Sequence, residues 1–161
     1  MRKKLWCLFF VLFFVGCVKS PKTFWYLKNV GADVQRTAQI QQTLDRCSEG
    51  LFSYFPKKPR KLKVFVYGSR DDFLAGLENE LGFRKEAALF FKEAGAPRPW
   101  EDKFLIPPEM SSVNVCHELV HHYLESNTSR KHLLEAKWFD EGAANYLADI
   151  ILDPHRISEK S

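Results

Sequence analysis

The apolar positions of this chain change period several times, and each change marks an element. Over residues 33–55, Val34, Ile40, Leu44, Cys47, Leu51 and Phe55 recur mostly at three- and four-residue steps, which predicts one helix with a single apolar face. Pro56 and Pro59 end it. Leu62-Lys63-Val64-Phe65-Val66-Tyr67 is rich in β-branched and aromatic residues and reads as a strand stopped by Gly68. Ser69 and Asp72 form a near capping box for a helix carrying Phe73, Leu74, Leu77 and Leu81. Residues 84–94 read as a second helical piece, with Gly95 as its C-cap. Lys103-Phe104-Leu105-Ile106 is a short strand that Pro107 and Pro108 confine to a sheet edge or end. Such an edge beside a functional site can accept an extended peptide by strand addition, or it is a simple connector.

Ser111 or Ser112 caps the next helix, over residues 113–126, where Val115, Leu119, Val120, Tyr123 and Leu124 form a broad apolar surface. A last helix starts near Phe139 or Asp140 and runs to Leu152, where Pro154 stops it. Strands interleaved with helices imply an α+β fold, with helices packed on a small mixed sheet.

The front of the chain is different in kind. Met1-Arg2-Lys3-Lys4 is a basic opening, Leu5 to Val15 carries no charge, and the composition turns polar at Lys19-Ser20-Pro21. This is the form of a cleaved secretory signal over residues 1–16, too short to span a bilayer. Phe14-Val15-Gly16-Cys17 resembles a bacterial lipobox, although Phe14 stands where Leu is usual. That resemblance implies lipidation of Cys17 and a membrane anchor; the alternative is an ordinary signal peptide with an incidental cysteine. Residues 17–30 then form a lipidated N-terminus and tether ending in the aromatic patch Phe24-Trp25-Tyr26, and residues 31–161 form a single domain.

Excluding the signal changes the charge. The whole chain has 24 Lys+Arg against 20 Asp+Glu, and loss of Arg2, Lys3 and Lys4 leaves 21 against 20, near +1. A nucleic-acid partner therefore has no electrostatic support. The one basic cluster left is Lys57-Lys58-Pro59-Arg60-Lys61-Leu62-Lys63, which reads as a solvated loop before a strand, with contact to anionic lipid as the alternative. Of the four cysteines, Cys47 and Cys116 remain beyond the signal and the lipobox. They either pair, as an oxidising compartment allows, or stay as two buried thiols.

His117-Glu118-Leu119-Val120-His121 is the chemically informative stretch. Residues four apart share a helix face, so His117 and His121 can reach one ion, while Glu118 lies where a general base can take a proton from water. Cys116 is turned about 100° from His117 on a helix and is not expected to ligate. Glu141, separated from His121 by 19 intervening residues, supplies the carboxylate of a third ligand. Three protein ligands with a fourth position for water are the pattern of catalytic zinc, one ion per chain.

The stretch H-E-L-V-H followed by W-F-D-E-G-A-A-N-Y-L-A is similar to the gluzincin zinc metallopeptidases, in particular small bacterial peptidase MA-like domains whose second motif reads roughly W-x-x-E-G-x-A-x-Y. Trp138, Glu141, Gly142, Ala144 and Tyr146 occupy those positions. The resemblance implies a zincin-like fold with the active-site helix followed by a ligand helix. It implies zinc ligands His117, His121 and Glu141, and a catalytic Glu118. Thermolysin-type members carry an Asp one turn after the ligand Glu, where this chain has Asn145. The chain ends 20 residues after Glu141, so the C-terminal subdomain of the family is expected to be reduced or absent. Oxyanion stabilisation would then fall to Tyr146, with His122, Tyr123 and His155 as the other candidates. Trp138 is expected to pack at the helix entry and Gly142 to allow close approach of two helices.

The expected function is hydrolysis of peptide bonds by water activated at the metal, in a lipid-anchored enzyme of the cell envelope acting on a peptide or protein. A non-catalytic zinc-binding lipoprotein that binds a partner or assists assembly is the alternative. An enzyme inhibited by its own tail, residues 153–161, is a third. Val18 is not the Asp that retains lipoproteins at an inner membrane, so the periplasmic side of an outer membrane is the expected place.

Overall fold

A computed structural model describes residues 23–55, 57–84, 102–128 and 137–153, and among these residues there are three short strands and four helices. In order they are β1 (Trp25–Val30), α1 (Val34–Tyr54), β2 (Leu62–Tyr67), α2 (Arg70–Leu81), β3 (Lys103–Ile106), α3 (Ser112–Asn127) and α4 (Lys137–Leu152). The fold is therefore mixed α/β. Residues 85–94 of the expected second helical piece, the signal, Cys17 and His155 lie outside the described residues, and Arg84 is not helical.

Local chemistry sets the helix starts. Asp33 Oδ1 accepts the Arg36 amide at 2.6 Å, opening α1. At α2, Ser69 Oγ accepts the Asp72 amide at 3.1 Å and donates to the Asp72 carboxylate at 2.6 Å. Ser111 Oγ accepts the Asn114 amide at 3.1 Å, opening α3. Each bond satisfies a backbone donor that the first helical turn leaves without a partner.

The sheet departs from the expected mixed one. Its order is β1-β2-β3, and both pairings are parallel, with Trp25 opposite Leu62 and Lys63 opposite Lys103. The cause is topological: each strand is separated from the next by a helix, and a crossover connection returns the chain to the same end of the sheet. β1 is a second departure. Trp25–Val30 is not part of a tether but an edge strand, its side chains alternately half-buried and exposed at its start. Trp25 and Leu27 turn toward the core, while Tyr26 and Lys28 face out.

Both faces of the sheet are covered. Val64, Val66, Phe104 and Ile106 pack with α1, α3 and α4 in the main core. Phe65, Tyr67 and Leu105 point the other way, onto Phe73 and Leu77 of α2. Double burial explains why β2 reads as a nearly continuous apolar run rather than an alternating one. At the C-terminal end of β2 the chain passes so close to β1 that a Cβ on Gly68 would lie 1.9 Å from the Gly31 carbonyl oxygen.

Cys47 of α1 and Cys116 of α3 form a disulfide, with their Cα atoms 5.7 Å apart. This settles the two alternatives for the cysteine pair. The bridge joins residues 69 apart in sequence. Closing a loop of that length in the unfolded chain is worth about 4 kcal/mol. Replacing both cysteines by alanine should lower the melting temperature by on the order of 10 °C. Reductant should do the same to the wild type and nothing further to the double variant, as read by differential scanning calorimetry.

Candidate metal centre

Helix α3 is anchored by an apolar face and presents its histidines from the side of it. Val115, Cys116, Leu119, Val120 and Tyr123 are fully buried. That packing leaves the helix one rotational setting, in which His121 is buried and His117 half-buried. The two rings meet edge to face, with centroids 4.7 Å apart. Glu141 comes from the first turns of α4, the helix packed against α3.

The three side chains converge. His117 Nε2 and His121 Nε2 are 3.0 Å apart. Glu141 Oε2 lies 3.5 Å from the first and 3.6 Å from the second. Ligand atoms at zinc–ligand distances of about 2.0–2.1 Å and tetrahedral angles stand about 3.3 Å from one another, so this set has the dimensions of three corners of such a site.

A further residue fixes the set. His121 Nδ1 donates to Asp140 Oδ1 at 2.7 Å, and both groups are buried. With its proton on Nδ1, the neutral ring has its lone pair on Nε2, aimed at His117 and Glu141. A carboxylate behind a ligand histidine both orients the ring and raises its basicity. Asp140 thus takes the part considered for Asn145, which is exposed. The signal for Asp140 was present as an acid directly before the ligand Glu in the first turn of α4. Glu118 is half-buried on α3 beside His117.

Several expected roles are not met. Tyr146 is 56% exposed. Five residues beyond Glu141, it is turned about 140° around α4 from the ligand, so the helix does not bring it to the histidines. His122 donates from Nε2 to the Arg60 carbonyl at 2.9 Å and stacks on Phe24. Burial lowers its pKa from the usual histidine value, which suits a neutral structural ring. Tyr123 is enclosed by Phe24, Phe52 and Phe55, and burial drives its phenol pKa strongly upward. Neither faces the ligands. Trp138 does not pack at a helix entry but is 79% exposed. Gly142 does not mediate a close approach, since a Cβ there would meet nothing within 4 Å.

Comparison of the chain with protein-family models, with curated proteins and with solved structures found no match.

Three variants test the geometry. Purified protein should hold about one zinc per chain, lost in His117→Ala and in Glu141→Ala. Asp140→Ala should keep the ligands and weaken zinc binding by about 10- to 100-fold, measured by competition with a chelating dye. An unchanged affinity in Asp140→Ala would remove it from the site.

Proposed function

We propose that this chain is a zinc metallopeptidase of gluzincin type with a zincin-like fold, exported to the cell envelope and held there by a lipidated Cys17. The observation that carries the reading is the convergence of His117, His121 and Glu141 with Asp140 behind His121 and Glu118 on the same helix. Structural zinc sites use four protein ligands, whereas three with one open position belong to catalysis. Export is supported by the Cys47–Cys116 disulfide, a bond that persists in oxidising compartments.

Zinc bound by these ligands supplies a Lewis acid toward a carbonyl oxygen and lowers the pKa of water to about 7. Glu118 takes the proton of the attacking water and returns it to the leaving amine. Asp140 keeps the His121 ring in one tautomer throughout. Among the described residues β3 stands at the end of the strand order, and its outer edge is where an extended peptide would add as a strand. Pro107 and Pro108 follow directly and limit that edge to a few residues.

The second reading, a zinc-binding lipoprotein without catalysis, is favoured by one observation. Tyr146 is exposed and His122 and Tyr123 are turned inward, so none of these three is in position to bind an oxyanion. The variants separate the two readings. Glu118→Gln should retain zinc and lose cleavage of unfolded polypeptide by about 10²- to 10⁴-fold. If Glu118→Gln instead replaces the wild type fully in a deletion strain while Glu141→Ala does not, metal binding alone is the function.

A further inference from the structure

The basic run before β2 lies at one end of the molecule together with the start of the chain. Parallel pairing puts the N-terminal ends of all three strands side by side, with Trp25 opposite Leu62 and Tyr26 opposite Lys63, itself opposite Lys103. Helix α1 runs back to the same end, leaving Tyr54 exposed at its last turn and then Lys57 and Lys58 in the loop. The loop is held in place: the Arg60 carbonyl accepts from His122 and the Arg60 amide donates to Ser126 Oγ at 3.2 Å. Arg60 and Lys103 are committed to Asp102 and Glu80. Lys57, Lys58, Lys61 and Lys63 are all exposed, and among the described residues no carboxylate pairs with any of them.

This end also contains a cavity of about 550 Å³, lined by Trp25, Tyr26, Lys61, Lys63, Asp102 and Lys103 among others and by none of the metal ligands. Tyr26 is 69% exposed at its mouth. The indole N–H of Trp25 is buried and has no acceptor among the described residues. Lysines around a cavity, a buried N–H donor and a tyrosine at the rim are the chemistry that receives a phosphate-bearing headgroup at a membrane interface.

We propose that this end of the fold, with Tyr26, Tyr54, Lys57, Lys58, Lys61 and Lys63 outermost, lies against an anionic phospholipid surface and that the cavity beside Trp25 takes a lipid headgroup. Charge complementarity selects this occupant: four exposed lysines, with no carboxylate partner among the described residues, are gathered at one end of a chain whose remainder, beyond the signal, has 17 Lys+Arg against 20 Asp+Glu. Chain length agrees, on the reading that Cys17 is lipidated. Only residues 18–24 separate that anchor from β1, a reach of at most about 25 Å. A tether that short keeps the N-terminal ends of the strands near the bilayer. The lysines and tyrosines convert that proximity into a set orientation. The enzyme or binding protein is then held with one fixed end down rather than tumbling on its anchor.

The test is hydrogen exchange on the full chain reconstituted on vesicles of phosphatidylcholine alone and of phosphatidylcholine mixed with phosphatidylglycerol. Flotation is read in parallel. On the anionic vesicles, amide exchange between residues 57 and 63 should slow at least about five-fold, the gain that a single lysine makes at such a surface. Added salt should reverse the effect. A Lys57→Gln, Lys58→Gln, Lys61→Gln, Lys63→Gln variant should lose it while keeping its zinc content, which shows that it is folded. Equal exchange on both vesicles, with the protein floating on both, overturns the proposal and leaves the anchor standing. Flotation on anionic vesicles alone supports the basic end and removes the anchor. Flotation on neither removes both. The same slowing produced by inorganic phosphate without anionic lipid would assign the cavity to a soluble phosphate and overturn the membrane reading.

Discussion

Val115, Cys116, Leu119, Val120 and Tyr123 are all fully buried, and together they fix the rotation of α3 about its axis. The rest of the candidate site follows from that constraint. Each buried aliphatic side chain contributes about 1.5–3 kcal/mol relative to exposure, so turning the helix to present another face would cost far more than any single ligand contact returns. With that setting, His117 and His121 emerge on the flank facing α4. The disulfide from Cys116 to α1 adds a covalent stop one residue before the first candidate ligand. A site built on two packed helices and one cross-link is held more precisely than one built on loops.

The second constraint is the buried Asp140–His121 pair. A carboxylate with side-chain exposure of 4% has lost most of its water and needs a strong donor in return. The Nδ1–H of His121 is that donor. The exchange leaves Nε2 as the basic nitrogen, aimed at the other two candidate ligands. The polarity of α4 assists, because Asp140 stands in its first turn, where the partial positive charge of the helix end favours a carboxylate.

Much of this was legible from residue spacing. The three- and four-residue steps of α1 and α3, the serine caps of α2 and α3, and the short strands β2 and β3 are local features, and local physics determines them. The pair His117 and His121 belongs to the same class, since only helix pitch is needed to bring them together. What was not legible depends on partners distant in sequence. β1 is six residues with a weak alternation, and its nature as a strand is settled by Leu62–Tyr67 lying beside it. The parallel sense of the sheet rests on how α1 and α2 return the chain. The cysteine pairing depended on α1 and α3 lying with residues 47 and 116 at the same level. Tyr146 was misplaced for a different reason: the motif suggested a role that five residues of helix rotation do not allow.

X-ray absorption at the zinc edge of the purified, zinc-loaded chain tests the central claim most directly, because it counts and identifies the ligands without requiring a substrate. The account predicts a shell of nitrogen and oxygen only, at about 2.0–2.1 Å, with the outer scattering of two imidazoles. A sulfur shell at about 2.3 Å, or a spectrum unaltered by His121→Ala, would contradict it.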